Sequence, residues 1–526
     1  MRTRSSALTL LAVVLVTVLG AGASGAATAP SATVEGPVTG GKGTPQIAST
    51  SFDLATVGYE QNEYFVSGTA SAYTSATPLT SNGKWTVTPA STAPYKTRVV
   101  VYRPTDPAKF NGTVLVEWDN VSGGLDAAPF WLAAHDELVR EGYAWVGVAA
   151  QAVGVQGGSA NALVANLDLV HADPDRYGTL SHPGDSYSYD MYTQVGRSVR
   201  SDAATVLGGL QPKRVLAVGE SQSAFRLTTY IDAVEPITKG VYDGYLVYSR
   251  GGAGAALSQA PQPAIPAPNP TLIRTDLTVP VLTFTTESDL AILGYSTAVQ
   301  PDNKLFRDWE VAGTAHADSY TIGTAAKDTG TPDGDVAFFQ TMITPPSSLY
   351  GGIISCNSPI NAGPTTYVLR SAVDALNQWV KTGTAPPKAP RLQTVQQPPV
   401  TTVAGDKTVH PTVLFKLDAQ GNATGGIRAP QVDVPIAALS GLGQSGNGFC
   451  GLFGTTVPFD AAKLAALYPT HAAFVKAWNQ ATDKAVKAGF VLKADAPAIK
   501  AAAAASTIGG AGGAGGAGGA GTPSSS

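Results

Sequence analysis

A strand that ends in a turn of small residues, followed at once by a helix, constrains this chain more than any other feature. Residues 215–224 read V-L-A-V-G-E-S-Q-S-A, and helix-forming residues continue to Ile231. Such a unit lifts the Ser221 hydroxyl above the end of a sheet and beside a helix N-terminus, as a serine nucleophile requires. The usual pattern is G-x-S-x-G, and here Ser223 replaces the second glycine. Because motif matches are hypotheses until their context is known, an ordinary strand-to-helix turn is the alternative.

The rest of the chain alternates between strand and helix patterns. Helices are predicted at 128–141, 192–207 and 366–380, with a pair at 461–489. Strands separated by helices predict an α/β fold, in which a mainly parallel central sheet is flanked by helices. Besides the strand before Ser221, the predicted strands are 95–103, 113–118, 144–150, 242–248, 281–285 and 305–312.

Both ends of the chain differ in composition from the middle. Residues 1–29 combine a basic start, an apolar run from 7 to 19 and small residues, which predicts a secretory signal peptide. Cleavage after Ala23, Ala26 or Ala29 fits this pattern equally well. Residues 501–526 are rich in glycine and alanine and predict a flexible tail.

The 30–500 region is long enough for one large domain with insertions. Two segments, at about 151–190 and 252–278, interrupt the strand–helix alternation and are predicted to act as lids. The segment after the last strand is a C-terminal elaboration of the fold. No segment after the signal is apolar enough to span a membrane, so we expect an exported protein without a transmembrane anchor.

Charge and cysteine content narrow the possible partners and the compartment. The formal net charge is −4, whereas nucleic-acid binding requires a basic surface, so no nucleic-acid partner is expected. Cys356 and Cys450 are the two cysteines of the chain, and in an exported protein they predict one disulfide. Two unpaired buried cysteines are the alternative.

A serine nucleophile needs a base, and the base needs an acid that orients it. His316 follows the last predicted strand in the loop G-T-A-H-A-D, where the base belongs in the chain order of serine, acid and histidine. Asp289 and Glu287 both follow the predicted strand 281–285. Asp289 is the preferred acid because a turn must intervene before the side chain reaches the site, and Glu287 is the second candidate.

The oxyanion of an acyl-transfer reaction needs two N–H donors. The backbone of Gln222, directly after the serine, is one predicted donor. The other is expected in the loop after strand 113–118, where a Gly-Gly pair allows an unusual backbone turn. The candidates in that loop are Asn120, Ser122, Gly123 and Gly124, and a plain glycine turn is the alternative.

Substrate contacts are predicted for Glu220 in the turn and for His182, Tyr187 and Tyr189 in the first insertion. We expect no metal, because no spacing typical of a metal site occurs, and no dinucleotide, because no glycine-rich phosphate loop follows a strand. No cofactor is therefore predicted.

Taken together, these motifs resemble the bacterial secreted "alpha/beta hydrolase domain" family of the α/β-hydrolase superfamily. The resemblance extends from about residue 34 to 494, and the segments that carry it are V-E-W-D-N-V-S-G-G at 116–124, R-Y-G-T-L-S-H-P-G-D-S-Y-S-Y-D at 176–190, G-E-S-Q-S-A at 219–224, E-S-D-L at 287–290 and G-T-A-H-A-D at 313–318. It implies one elaborated hydrolase domain, and the form with serine at position 223 belongs to its pattern.

The sequence thus predicts a secreted serine hydrolase that cleaves carboxylic esters through an acyl-enzyme on Ser221. Its substrate is expected to be a small-molecule, lipid or polymer ester. An acyltransferase with the same three residues is one alternative, and a non-catalytic surface or binding protein on a hydrolase fold is another.

Overall fold

The structure is a computed structural model that describes residues 32–159, 162, 164–396 and 411–510. The predicted signal peptide and the predicted tail beyond residue 510 lie outside the described residues. In the part of the chain that is described, no helix combines the length and the hydropathy needed to cross a membrane.

Among the residues that the structure describes, nine strands form the central sheet: β1 Thr33–Glu35, β2 Tyr59–Thr74, β3 Thr88–Pro104, β4 Thr113–Trp118, β5 Ala144–Val148, β6 Arg214–Glu220, β7 Gly244–Tyr248, β8 Val281–Thr285 and β9 Phe306–Glu310. Their order is β1-β2-β3-β5-β4-β6-β7-β8-β9. The six strands from β5 to β9 in that order pair in parallel, and the first three join them in antiparallel register. The predicted mainly parallel sheet is therefore confirmed.

In the described part of the chain, three further pairs of short strands lie outside this sheet, and each pair is antiparallel. They are β10 Ser348–Leu349 with β11 Ile354–Ser355, β12 Thr394–Gln396 with β13 Val413–Phe415, and β14 Ala437–Ser440 with β15 Thr455–Pro458.

The helices of the described residues vary from one turn to eighteen residues. They are α1 Pro129–Arg140, α2 Ala152–Gln156, α3 Leu169–Ala172, α4 Pro174–Tyr177, α5 Ser188–Ser201, α6 Ala203–Val206, α7 Gln222–Thr229, α8 Glu235–Thr238, α9 Glu287–Ala291, α10 Pro332–Ile343, α11 Thr365–Thr382, α12 Pro430–Asp433, α13 Ala461–Leu467, α14 His471–Ala488 and α15 Ala496–Ala504.

Helices cover both faces of the sheet because successive residues of a strand point to opposite faces. Val99 and Val101 of β3 join an apolar core that includes residues of α5 and α7. Val100 and Tyr102 of the same strand join a second core, which includes residues of α1 and α11. A strand buried on both faces tends to be apolar, which explains the apolar runs of β7 and β8. The fully buried strand β9 is an exception, because it contains Arg307, Asp308 and Glu310.

The folded region extends further towards the C-terminus than the sequence predicts. The composition predicts a flexible tail from residue 501, but α15 continues to Ala504. Ala502, Ala503 and Ile508 are buried in the core on the α1 side. The alanine-rich segment after residue 501, whose composition suggests flexibility, is therefore partly packed in the core.

Cys356 and Cys450 form a disulfide with their Cα atoms 5.5 Å apart, which confirms the predicted pairing. The bond joins the end of the β10–β11 hairpin to the segment before β15. Around it lies a small apolar cluster that is separate from the two large cores and includes Ile354, Ile360 and Phe453.

Candidate active site

Ser221 lies at the sharp turn between β6 and α7. Its backbone has φ 55° and ψ −123°, and non-glycine residues rarely adopt a positive φ. The Ser221 N–H donates to the carbonyl oxygen of Tyr248 on β7 at 3.0 Å, which fixes the turn against the neighbouring strand. The side chain is therefore presented at the carboxyl end of the parallel strands, where ligand sites form in open α/β sheets.

The residues on either side of this turn show why the sequence pattern takes the form it does. A Cβ atom on Gly219 would lie 2.8 Å from the carbonyl oxygen of Ser223, so only glycine fits there. Ser223 itself is completely buried, and its hydroxyl donates to the carbonyl oxygen of Asp119 at 3.1 Å. Serine is accommodated in place of the usual glycine because its hydroxyl has this partner.

His316 connects Ser221 to Asp289. Its Nε2 lies 2.7 Å from Oγ of Ser221, and its Nδ1 lies 2.6 Å from Oδ1 of Asp289. The other oxygen of Asp289 accepts the Thr286 N–H at 2.8 Å in a capping box at the start of α9, which fixes the carboxylate. The structure thus brings together the three residues that the sequence predicts as nucleophile, base and acid.

The electrostatic surroundings favour a proton on His316. Burial lowers the pKa of this histidine, but the Asp289 carboxylate, through its charge and its hydrogen bond, and the Glu220 carboxylate outweigh that effect and raise it. A carboxylate at Nδ1 also selects the tautomer that carries its proton there. In the neutral form, Nε2 is then the acceptor that faces the Ser221 hydroxyl.

Glu287, the second candidate for the acid, does not contact His316. Its two oxygens accept the N–H groups of Gly313 at 2.6 Å and Gly441 at 2.9 Å. Burial raises its pKa to about 7, against the effect of these two hydrogen bonds. Glu287 therefore joins the loop that carries His316 to the loop after β14, and Asp289 is the carboxylate beside the imidazole.

Glu220 lies beside the imidazole of His316. Its Oε1 is 3.5 Å from Nε2 of His316. Its Oε2 accepts a hydrogen bond from Nδ2 of Asn120 at 2.9 Å. Burial raises the pKa of Glu220 to about 7, although the neighbouring His316 lowers it. The sequence singles out Glu220 as a substrate contact but does not predict its contact with the histidine.

Of the predicted oxyanion donors in the loop after β4, three already have acceptors. The Asn120 N–H donates to Ala127, the Ser122 N–H to the side chain of Asn120, and the Gly124 N–H to Val121. Among the described residues, the Gly123 N–H has no acceptor, and Gly123 lines the cavity beside Ser221. The N–H of Gln222 belongs to the first turn of α7, where such groups lack partners within the helix.

Ser221 and His316 open into a cavity of about 380 Å³. Asn120, Glu220 and the Ser122–Gly123 segment form its polar end together with these two residues. The rest of the lining is mostly apolar. It comes from Ala48, from the loop before α1 and the start of that helix, from the residues after His316 and from two segments joined by the disulfide. The described residues of the two predicted insertions do not contribute to this lining.

The substrate contacts predicted in the first insertion are not found at this cavity. His182 is buried with Nε2 2.9 Å from the carbonyl oxygen of Ala150. The hydroxyls of Tyr187 and Tyr189 bond to Ser91 and Gln262, and to Ala256, respectively. All three rings are buried, and their polar atoms make these hydrogen bonds within the protein and not at the cavity beside Ser221.

No group of three or more histidine, cysteine, aspartate or glutamate side chains among the described residues is arranged to hold a metal ion. The carboxylates nearest to the site, Glu220 and Asp289, lie on either side of the imidazole of His316 instead.

The fold and the site together define an α/β protein in which a serine, a histidine and an aspartate meet at the carboxyl end of a parallel sheet. The sequence profile of the alpha/beta hydrolase domain family matches residues 34–501, and the chain belongs to this family. No curated protein matches the chain in sequence.

Several solved structures are distantly similar. A candidate dienelactone hydrolase from Klebsiella pneumoniae is 14% identical, over 53% of this chain and 97% of that chain, with a TM-score of 0.27. A fungal esterase from Rhizomucor miehei is 14% identical, over 43% of this chain and 73% of that chain, with a TM-score of 0.26. A thermostable esterase from Pseudomonas putida is 13% identical, over 45% of this chain and 66% of that chain, with a TM-score of 0.24. Likenesses this distant do not bear on the reaction or on the substrate.

Proposed function

We propose that the protein is a serine hydrolase that cleaves carboxylic esters, with Ser221 as nucleophile, His316 as general base and acid, and Asp289 as the residue that orients the imidazole. The observation that carries this proposal is the unbroken hydrogen-bonded line from Asp289 through His316 to Ser221 at the end of a cavity. An activated serine needs a base within hydrogen-bond distance and a third group behind that base. Membership of the alpha/beta hydrolase domain family supports the hydrolase class.

The reaction proceeds in two halves. In the first, Oγ of Ser221 forms a bond to the acyl carbon while its proton passes to Nε2 of His316. The bond between the acyl carbon and the alcohol oxygen then breaks, and His316 gives the proton to that oxygen. In the second half, a water attacks the acyl carbon and gives its proton to His316. The bond between the acyl carbon and Ser221 then breaks, His316 returns the proton to Oγ of Ser221, and the carboxylic acid is released.

The negative charge on the carbonyl oxygen needs donors at each tetrahedral stage. We assign this role to the N–H groups of Gln222 and Gly123. The first follows the nucleophile in the chain and has no acceptor within α7. The second lines the cavity and has no acceptor among the described residues.

We also propose that the protein is exported. The basic, apolar and small-residue segments of residues 1–29 are typical of a secretory signal. The disulfide between Cys356 and Cys450 supports this location, since such bonds persist in oxidising compartments. Mass spectrometry of the protein recovered from outside the cytoplasm should give an N-terminus near residue 24, 27 or 30, and an intact Met1 would contradict export through cleavage.

Hydrolysis of p-nitrophenyl acetate by Ser221→Ala and Ser223→Ala tests the reaction. Each substitution removes one serine hydroxyl from the same turn, but the Ser223 hydroxyl bonds only to a backbone carbonyl. We expect Ser221→Ala to lower kcat by about 10³-fold or more, and Ser223→Ala to stay within about tenfold of the wild type, since one neutral hydrogen bond contributes about 1 kcal/mol. Equal turnover by Ser221→Ala and the wild type would contradict the proposal.

A further inference from the structure

We propose that the cavity beside Ser221 receives an uncharged, apolar acyl chain, and that the wall tied by the Cys356–Cys450 disulfide determines which chain lengths are accepted. This inference rests on the proposed function, because it names the substrate class of the same site.

The distribution of polar groups in the cavity points to this substrate. Apart from Thr321 and Tyr350, the polar side chains of the lining belong to the group around Ser221 and His316, and no lysine or arginine is among the described residues that line the cavity. An anionic acyl group would lose its hydration there without gaining a partner. It would also approach the buried Glu220. Beyond the polar end, the lining includes Leu125, Leu132, Ile322, Ile354, Leu452 and Phe453.

The size of the cavity fits a chain longer than an acetyl group. Its volume of about 380 Å³ falls within the range of sites that enclose small molecules, roughly 300–1,000 Å³. Each additional methylene that leaves water for an apolar wall contributes favourably to binding. A longer chain therefore gains affinity in the transition state until the cavity is filled.

The reaction sequence assigns this cavity to the acyl group rather than to the alcohol. The acyl group stays bonded to Ser221 between the two halves of the reaction, whereas the alcohol must leave and water must reach His316. We therefore assign the mostly apolar cavity beside Ser221 to the acyl group, which must keep its contacts while the alcohol is replaced by water.

One wall of the cavity is built from two segments that are far apart in the sequence. Tyr350 and Ile354 come from the β10–β11 hairpin, whereas Phe449, Leu452 and Phe453 come from the turn that contains Cys450. The disulfide joins these segments across a sequence separation of 94 residues. The hydroxyl of Ser288, next to Asp289, donates to the carbonyl oxygen of Gly441 at 2.8 Å, and the carbonyl oxygen of Leu452 lies 3.4 Å from the same hydroxyl. The wall therefore lies beside the helix that carries the proposed acid.

The test begins with a fluorophosphonate probe, which reports an activated serine regardless of the acyl preference. The kcat/KM of an unlabelled sample of the same preparation is then measured for p-nitrophenyl esters from acetate to dodecanoate. We expect kcat/KM to increase about two- to fourfold per methylene, up to a limiting chain length. The upper value, about fourfold, corresponds to 0.8 kcal/mol per methylene at RT of 0.59 kcal/mol. The hemisuccinate ester should react at least about tenfold more slowly than the butyrate, because its carboxylate has no partner.

Two substitutions of the same kind test the wall. Leu452→Trp places a larger side chain in the lining, whereas Leu417→Trp places it at a residue that is 55% exposed and does not line the cavity. We expect the ratio of octanoate to acetate kcat/KM to fall about tenfold or more in Leu452→Trp and to change less than about twofold in Leu417→Trp, since overfilling a pocket excludes the longer chain. Ile322→Trp fills the same cavity from the residues after His316, and it should lower the ratio even if Leu452→Trp does not fold.

The possible failures are distinguishable. The inference is overturned, and the proposed function left intact, if the protein reacts with the probe and its unlabelled form hydrolyses esters without any dependence on acyl length. A dependence on the length of the alcohol in a series of alkyl acetates has the same meaning. A wild-type protein that neither reacts with the probe nor hydrolyses any ester overturns the proposed function itself.

Discussion

The carboxylate of Glu220 lies 3.5 Å from Nε2 of His316, the nitrogen that also contacts Oγ of Ser221. The imidazole therefore has a carboxylate on each side, with Asp289 at Nδ1 and Glu220 near Nε2. An ionised Glu220 stabilises the imidazolium that forms when His316 takes the serine proton. It also opposes the negative charge that develops on the substrate. The charge of Glu220 should thus influence both the pH dependence and the rate.

Replacement of Glu220 by glutamine should move the acidic limb of the kcat/KM profile to lower pH. Burial raises the pKa of Glu220 to about 7, so its charge appears as the pH rises through neutrality. That charge raises the pKa of His316, together with the larger effect of Asp289. Without it, His316 loses its proton at a lower pH and becomes a base sooner. Ester hydrolysis between pH 5 and 9 measures the shift.

Glu287→Gln is the matched control for this experiment. Burial likewise raises the pKa of Glu287 to about 7, but its oxygens face the backbone of Gly313 and Gly441 and not the imidazole. The acidic limb should therefore stay where it is in the wild type. An equal shift in both variants, or none in Glu220→Gln, contradicts an influence of Glu220 on His316.

Asp289→Asn should reduce kcat by about 10²- to 10⁴-fold and leave the fold intact. Asparagine occupies the same volume, but it removes the charge that stabilises the imidazolium and the acceptor that selects the tautomer. Glu287→Gln should cost less than about tenfold, because Glu287 supports loops and does not contact His316. Comparison of kcat at saturating p-nitrophenyl ester separates the two carboxylates. A larger loss in Glu287→Gln would reverse their assignment.

Removal of the disulfide should destabilise the protein by about 2–5 kcal/mol. The bond closes a long loop, with a sequence separation of 94, and long closed loops lose much entropy in the unfolded chain. Urea unfolding of Cys356→Ala/Cys450→Ala, compared with oxidised wild type, measures the difference. Wild type treated with a reductant should approach the double variant, and identical midpoints for all three samples would show that the bond contributes little to stability.

The parts of the fold and the site that the sequence predicts depend on local signals. The turn at Ser221 is encoded within ten residues, and most of the parallel strands are rich in apolar residues because both faces are buried. Asp289 and His316 each follow a parallel strand, and the carboxyl ends of parallel strands meet at one edge. The sequence predicts the long antiparallel pair β2–β3 only in part. No strand is predicted for β2, which mixes polar and apolar residues, and its partner β3 is predicted only at 95–103.

The cavity wall and the substrate contacts depend on tertiary packing, which local patterns do not report. Tyr187 and Tyr189 are aromatic residues in a polar segment, a composition that suggests binding, yet both rings are buried. Phe449 and Leu452 lie more than 130 residues after His316, and nothing nearby in the sequence connects them with Ser221. Their position follows from the disulfide and from the packing of the C-terminal elaboration against the loops of the sheet.

Intact-protein mass spectrometry after reaction with a fluorophosphonate tests the central claim most directly. We predict one adduct per chain, located by peptide mapping on Ser221, absent from Ser221→Ala and formed much more slowly in a His316 variant such as His316→Ala. An adduct on another serine, or none in the wild type, would contradict the claim that Asp289, His316 and Ser221 form a working catalytic site.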